Sequence, residues 1–250
     1  GIRGTAKRAV RLSNSRTGAQ STMPDLTHEK KAAAHASIRY IESGMVVGLG
    51  SGSTSAEFIK LLGERVQTGS LQIRGIPTSA HSHQLATSLG IPLVSFKDVS
   101  QIDVSVDGAD EIDPHLRLIK GHGGALLREK IVATATRRFV VIADHTKLVS
   151  VLGMMALPVE VIEFAEPLLI RRISALGANV TLRVEQDGNP FITDSGNHIL
   201  NCEFGEIRDP EKLGAELDHI PGVVEHGLFV GLATVALVAH NEEVTEHHRR

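Results

Sequence analysis

The chain has 250 residues, of which 42% are hydrophobic and 22% charged, so it is long and apolar enough to fold around a core. Its formal net charge of −3 argues against a broad electrostatic affinity for nucleic acid. Because no run approaches the ~20 apolar residues of a membrane span, we expect a soluble protein with no membrane partner. The single cysteine, Cys202, excludes an intrachain disulfide and is expected to be a small core residue in a reducing compartment.

Residues 1–24 are basic and contain no acidic residue, as in an organellar transit segment. The alternative is a disordered extension, or an upstream start with Met23 as the true initiator. We therefore expect a cytoplasmic protein, with a plastid or another organelle as the alternative. At the other end, the polar tail Glu242–Arg250 is expected to be frayed.

The apolar spacing of the first part of the chain predicts alternating helices and strands. The first helix is predicted to begin with Thr27 as its cap and to reach Glu42. The elements predicted after it are strand Met45–Leu49, turn Gly50–Thr54, helix Ser55–Val66, strand Leu71–Ile76, helix Ser79–Leu89, strands Pro92–Phe96 and Ile102–Val106, helix Ala125–Thr136 and strand Phe139–Ala143. This alternation predicts the α/β class with a doubly wound, mostly parallel sheet.

After about Leu157 the pattern changes to strands with only two helices, which predicts a second, smaller α+β domain with an antiparallel sheet. The predicted elements are strand Val159–Phe164, helix Pro167–Leu176, strands Asn179–Val184, Phe191–Thr193 and His198–Cys202, helix Pro210–His219 and strand Val223–Phe229. The apolar run Leu232–Ala239 is predicted to return to the first sheet. We thus expect a catalytic domain at 25–155 and 230–241, and a lid domain at 156–229.

The segment Gly48–Thr54 joins a predicted strand to a predicted helix and is rich in glycine and serine. Backbone amides at a helix amino terminus bind anions, so this turn predicts a phosphate or sugar site at Ser51, Gly52, Ser53 and Thr54. A dinucleotide fingerprint would need a glycine in place of Ser53 and an acid near the end of the next strand, and a Walker loop would need Gly-Lys-Ser/Thr; the segment has none of these. The alternative is a turn whose glycines serve only tight packing.

The segment Asp107–Glu111 places three carboxylates at the end of an apolar strand, where an open α/β sheet binds its ligands. Acids this close together are tolerated where they meet cations, hydrogen bonds or a polar ligand. The alternative is a solvated turn that caps the next segment.

The segment Lys120–Lys130 places a lysine before a glycine-rich turn and a glutamate, Glu129, early in the following helix. Glu129 either projects into a cleft as a general base or lies on the exposed side of the helix. At the next strand end, Lys147 either binds an anion or pairs with Asp144, and His145 is expected to be a surface residue. His81, His83 and His122 lack the spacing of a metal site, and we expect no metal.

These segments, in this order, resemble the A type of ribose-5-phosphate isomerase over about residues 26–239. The motifs are Gly-Leu-Gly-Ser-Gly-Ser-Thr at 48–54, Asp-Gly-Ala-Asp-Glu at 107–111, Lys-Gly-His-Gly-Gly-Ala-Leu-Leu-Arg-Glu-Lys at 120–130 and Asp-His-Thr-Lys at 144–147. The resemblance implies interconversion of D-ribose 5-phosphate and D-ribulose 5-phosphate through a cis-enediolate, in the non-oxidative pentose phosphate pathway. It implies no metal or organic cofactor, and a homo-oligomer, either a homodimer or a tetramer.

The resemblance also implies roles for individual residues. Glu129 matches the base, and Asp107, Asp110 and Lys120 match residues that handle the hydroxyls, open the ring and stabilise the oxyanion. The positions implied to contact substrate are Lys30, Ser51, Gly52, Ser53, Thr54, Asp107, Gly108, Ala109, Asp110, Lys120, Gly121, His122, Gly123 and Lys147. Glu111 drops out of the catalytic set.

Two residues depart from the family pattern: Ser51 replaces a threonine, and His122 stands where many members have glycine. We expect His122 to contribute its backbone, with contact between its ring and the substrate as the alternative. Two other functions compete with the isomerase. One is a related enzyme such as an amino-sugar phosphate deaminase, and the other is a sensor that binds a phosphosugar without converting it.

Overall fold

The computed structural model describes residues 26–241 and 243–249. The α-helices of this part are α1 (Thr27–Ser37), α2 (Gly52–Gln67), α3 (Ala80–Ser88), α4 (Leu126–Thr134), α5 (Glu166–Ser174) and α6 (Pro210–Asp218). Its strands are β1 (Val46–Leu49), β2 (Arg74–Pro77), β3 (Ile102–Asp107), β4 (Glu111–Ile112), β5 (Leu118–Ile119), β6 (Thr136–Asp144), β7 (Leu157–Val161), β8 (Asn179–Leu182), β9 (His198–Glu203), β10 (Val223–His226), β11 (Leu228–Phe229), β12 (Val235–His240) and β13 (Glu243–His248). Short 3-10 helices occur at Ile38–Tyr40, His145–Lys147 and Glu163–Ala165.

The central sheet has six strands in the order β13-β12-β6-β3-β1-β2. The neighbours from β12 to β2 are all parallel, and only β13 is antiparallel to its neighbour. Helices cover both faces, so the inner strands are apolar on both sides, as β6 shows with its continuous buried run from Phe139 to Ala143. The predicted doubly wound α/β fold is confirmed.

Alternate residues of the central strands face two different cores. On one face, Val140 and Ile142 of β6 pack in the cluster that contains Phe58 and Leu62 of α2. On the other face, Phe139 and Val141 of β6 pack in the cluster that contains Ala133 of α4. Helix α4, which carries the predicted base, is therefore fixed to the sheet through its apolar side.

A smaller antiparallel sheet has the order β10-β7-β9-β8 and packs with α5 and α6, as the change of pattern after Leu157 predicted. A third sheet, with the order β11-β5-β4, was not predicted, because its strands are only two residues long. The chain returns to the central sheet as β12, as expected. The proposed domain limits, 25–155 with 230–241 and 156–229, remain a prediction. Cys202 is buried in the core of the smaller sheet.

Several predicted elements were wrong. Pro92–Phe96 forms only an isolated bridge between Gly75 and Leu93, and Phe191–Thr193 is not a strand. Val223–Phe229 is two strands, β10 and β11, which belong to different sheets. Apolar runs this short occur in loops packed against a core as well as in strands.

The limits of two helices also differ from the prediction. Leu26, without a side-chain hydrogen bond, occupies the cap position of α1, and Thr27 is its first residue. Helix α2 begins at Gly52, so three of the five residues of the predicted turn Gly50–Thr54 lie in the first turn of the helix. No helix in the described part of the chain is long and apolar enough to cross a membrane. The transit-like segment at residues 1–24 lies outside the described residues.

The polar C-terminal segment was expected to be frayed, but residues 243–248 form strand β13 on the edge of β12. The phenol of Tyr40 donates to Oε1 of Glu246 at 2.8 Å, and Arg39 pairs with the same carboxylate. The pairing of β13 with β12 satisfies the backbone N–H and C=O groups that β12 would otherwise expose along the sheet edge.

Candidate active site

The ends of three parallel strands form one cavity of about 180 Å³. Because β1, β3 and β6 are neighbours and run the same way, the segments after Leu49, Asp107 and Asp144 meet at one edge of the sheet. The cavity is lined by Lys30, Ser51, Gly52, Ser53, Thr54, Gly108, Ala109, Asp110, Lys120, Gly121, Gly123, Glu129 and Lys147. Of the predicted catalytic and substrate-binding residues, only Asp107 and His122 do not line it.

The carboxylate of Asp107 is buried and is fully engaged by protein groups. Its Oδ1 accepts hydrogen bonds from the backbone of Ser51 (2.9 Å) and Gly108 (2.8 Å) and from the hydroxyl of Ser55 (3.0 Å). This approach requires glycine at position 50, where a Cβ would lie 2.2 Å from Oδ1. Asp107 therefore supports the cavity wall. The contact with Ser55 was not predicted, because nothing in the sequence distinguishes Ser55 from the other residues of its helix.

The ammonium group of Lys120 lies at the centre of the acidic residues. Its Nζ is 3.0 Å from Oδ2 of Asp107 and 3.5 Å from Oε1 of Glu129, and it donates to the carbonyl of Gly108 at 2.5 Å. Burial alone would lower the pKa of Lys120, but the negative charges of these two carboxylates and of Asp110 raise it. Lys120 thus carries a permanent positive charge inside the cavity.

Glu129 is 6% exposed, and in the described part of the chain no group hydrogen-bonds its Oε2. Burial raises the pKa of Glu129 to about 8, with the nearby charges of Asp107 and Asp110 acting in the same direction and Lys120 opposing them. A buried carboxylate with a free oxygen and a pKa near neutrality is suited to proton transfer.

The other end of the cavity is electropositive. Helix α2 begins there with no acidic residue in its first turn, and no side chain caps its amino terminus, because the hydroxyl of Ser51 lies 2.7 Å from that of Thr78 instead. Within residues 26–241 and 243–249, the ammonium groups of Lys30 and Lys147 have neither a hydrogen bond nor an ion pair. A helix amino terminus with two free lysines is a site for an anion.

The turn at residues 121–123 is held by charged side chains. Oδ2 of Asp110 accepts the backbone N–H of His122 at 3.0 Å. Arg183, the residue directly after β8, donates to the carbonyls of Gly121 (3.0 Å) and His122 (3.1 Å). The ring Nε2 of His122 lies 2.9 Å from the carbonyl of Ala156, and the expected backbone role of His122 stays a prediction. Arg183 was not predicted, because it lies about 60 residues downstream in a segment with no sequence motif.

Glu111, Asp144 and His145 make contacts within the protein and do not line the cavity. Glu111 accepts the backbone N–H groups of Gly153 (2.7 Å) and Met155 (2.5 Å), away from the cavity. Asp144 accepts the backbone N–H of Thr146 at 3.1 Å, so the alternative pairing with Lys147 is not formed. His145, expected to be a surface residue, has its Nδ1 2.7 Å from Oε2 of Glu29.

Two clusters in the described residues have ligand atoms close enough together for a metal ion: one at Glu29, His145 and His240, the other at Asp218, Glu225 and His226. Neither cluster includes the side chains of Glu129 or Lys120.

Comparison with known proteins gives one family. The family described as ribose 5-phosphate isomerase A (phosphoriboisomerase A) matches residues 74–243. The ribose-5-phosphate isomerase A of Roseiflexus castenholzii is 51% identical over 226 residues, covering 90% of this chain and 96% of the relative. That of Parvibaculum lavamentivorans is 50% identical, covering 84% and 93%.

Solved structures give the same result. A D-ribose-5-phosphate isomerase in complex with phospho-erythronic acid aligns with a TM-score of 0.86 and 44% identity, covering 88% of this chain and 98% of that one. The ribose 5-phosphate isomerase A of Methanocaldococcus jannaschii aligns with a TM-score of 0.86 and 39% identity, covering 90% and 100%. The chain belongs to the ribose 5-phosphate isomerase A family.

Proposed function

We propose that the protein interconverts D-ribose 5-phosphate and D-ribulose 5-phosphate, with Glu129 as the base. The observation that carries this proposal is the free Oε2 of buried Glu129 beside the ammonium of Lys120, in a cavity whose other end is lined by Lys30 and Lys147. The relative solved with phospho-erythronic acid supports it, since that ligand combines a phosphate with a carboxylate. A carboxylate carries the kind of negative charge that an enediolate develops.

In the proposed reaction, Glu129 removes the proton from C2 of the open-chain aldose. The electrons of the C2–H bond form a C1–C2 double bond, and the oxygen on C1 takes the negative charge. Lys120 stabilises that charge, which arises only as the reaction proceeds. Glu129 then returns the proton to C1, while the proton on the C2 hydroxyl passes to the oxygen on C1 and leaves a ketone at C2.

The other predicted residues receive roles that fit their contacts. The phosphate binds at the amino terminus of α2, at Ser51–Thr54, between Lys30 and Lys147, and so anchors the reacting carbons. Asp110 and the backbone of Gly108, Ala109, Gly121 and Gly123 face the sugar. Because Asp107 is saturated by protein donors, we assign it to positioning Lys120 rather than to contact with substrate.

The assay follows ketose formation from ribose 5-phosphate by the wild-type protein and by Glu129→Gln. We expect Glu129→Gln to lower kcat by at least about 100-fold, because general base catalysis contributes roughly 10²–10⁴. Phospho-erythronic acid should still raise the melting temperature of this variant. The matched control is Glu216→Gln on α6, an exposed residue 3.9 Å from Lys212, and it should retain full activity.

The outcomes separate the parts of the proposal. A wild-type protein that forms no ribulose 5-phosphate would overturn the function. A Glu129→Gln variant that keeps more than about a tenth of kcat would remove Glu129 as the base. The homo-oligomeric state and the cytoplasmic location stay predictions, which light scattering and localisation of the native protein would test.

A further inference from the structure

Glu29, in the first turn of α1, is a buried carboxylate outside the cavity with three donors directed at it. Its Oε2 lies 2.7 Å from the ring Nδ1 of His145 and accepts the backbone N–H of the same residue at 3.3 Å. Its Oε1 accepts the backbone N–H of Asn241 at 2.9 Å. One side chain therefore joins α1 to two other segments of the chain.

These contacts join the two elements that carry the free lysines. Lys30 follows Glu29 directly in α1, and Lys147 is the last residue of the 3-10 turn His145–Lys147. Neither ammonium has a protein partner in the described residues, so no ion pair holds either side chain at the cavity. Their positions depend on where their backbones are held.

The turn that carries Lys147 is too short to be stable without partners for its first N–H groups. Glu29 accepts the N–H of His145, and Asp144 accepts the next one, that of Thr146. The two carboxylates thus accept the first two N–H groups of the turn. The ring of His145 also packs on that of His240, with a centroid distance of 4.3 Å.

The third contact ties the same carboxylate to the end of the central sheet. Asn241 lies in the tight turn between β12 and β13 with a φ of 56°, a conformation that asparagine adopts more readily than most residues. Its N–H points at Glu29, so the turn, α1 and the lysine-bearing segment are held by one group.

We propose that Glu29 is a positioning residue for the phosphate end of the site, which sets the separation of Lys30 and Lys147 without touching substrate. The inference rests on the proposed function, because it assigns the free lysines to the substrate phosphate. Glu129 and Lys120 belong to other elements, α4 and the segment after β5, so the chemical step itself does not depend on Glu29.

The test compares Glu29→Ala with Glu216→Ala, the exposed control on α6. We expect Glu29→Ala to raise KM for ribose 5-phosphate about tenfold, equivalent to about 1.4 kcal/mol, and to leave kcat within about twofold. The inhibition constant for inorganic phosphate should rise by a similar factor. In a Lys30→Ala/Lys147→Ala background, the same substitution should leave KM unchanged, because Glu29 acts through the lysines.

His145→Leu provides a second variant if Glu29→Ala does not fold, since it removes the ring donor and keeps the backbone N–H. We expect it to raise KM severalfold with kcat unchanged. A wild-type protein without isomerase activity would overturn the proposed function. An active wild type, with Glu29→Ala and His145→Leu lowering the melting temperature but changing neither KM nor phosphate inhibition, would overturn the inference alone.

Discussion

The carboxyl group of Glu129 sets how activity should depend on pH. The base must be ionised, and a pKa of about 8 leaves only about a tenth of it ionised at pH 7. We expect kcat/KM to rise about eightfold from pH 6.5 to 7.5 and to level off above about 9. The phosphate of the substrate titrates near 6 and therefore does not contribute in this range.

A series of initial rates from pH 6.5 to 9.5 checks this expectation. Glu216→Gln should show the same profile as the wild-type protein, since Glu216 does not line the cavity. A profile that is flat over this range would mean that the folded protein does not raise the pKa of Glu129.

At the residue scale, sequence motifs predicted which side chains meet but not how each is used. Glu129, Lys120 and Lys147 line the cavity as expected. Asp107 does not line it, because its Oδ1 accepts hydrogen bonds from Ser51, Ser55 and Gly108. These hydrogen bonds depend on close approaches of the backbone, which cannot be inferred from the sequence. Glu29 carries no signal in the sequence, since its partners lie more than a hundred residues away.

At the element scale, the clearest departure from expectation is β13. Its sequence, Glu-Val-Thr-Glu-His-His, carries one apolar residue, Val244, which packs against the main core. A strand that covers a sheet edge needs backbone pairing more than apolar surface, so hydrophobic periodicity does not detect it.

Removal of residues 243–250 should therefore destabilise the fold. We expect the melting temperature to fall by several degrees, since about 1 kcal/mol corresponds to roughly 2–4 °C for a domain of this size. The exposed edge of β12 should also promote aggregation on heating, measured as turbidity. Glu243→Gln, which keeps the strand, is the control, and a truncated protein as stable as the control would show that β13 adds nothing.

At the scale of the whole molecule, Lys130 joins the helix of the base to the smaller sheet. Its Nζ lies 2.5 Å from Oε1 of Glu225 on β10 and donates to the carbonyl of His226 at 2.6 Å. The centroid of the Phe229 ring lies 5.0 Å from this ammonium and 5.5 Å from that of Lys120. The lysine next to the base thus fixes α4 against a strand nearly a hundred residues later.

A double-mutant cycle at this pair tests the junction. Glu225→Gln leaves the Lys130 ammonium largely buried without its counter-charge and should cost about 1–3 kcal/mol in the free energy of unfolding. Lys130→Met/Glu225→Gln should recover part of that loss, because no unpaired charge remains. Lys212→Met, at an exposed pair 3.9 Å apart, should change stability by less than about 1 kcal/mol. Additive effects of the two single substitutions would contradict this coupling.

The fold class was predictable because strands that alternate with helices along the chain are compatible with few sheet topologies. The run Leu232–Ala239 is also apolar on both faces, as an inner strand of a covered sheet must be. The third sheet was not predictable, since β4, β5 and β11 have two residues each and their side chains pack in the cores of both larger sheets. Short strands of this kind are specified by tertiary contacts, which local sequence does not record.

Gly227 separates β10 from β11 and so links the smaller sheet to the third one. Its carbonyl accepts the N–H of Lys120 at 2.9 Å, and its own N–H donates to Pro158 at 2.8 Å. A local opening of the smaller sheet would therefore release the backbone of Lys120 at the same moment. The amide hydrogens of Lys120 and Gly227 should therefore exchange at similar rates, and the protein should lose activity on heating in the same step in which the smaller sheet opens.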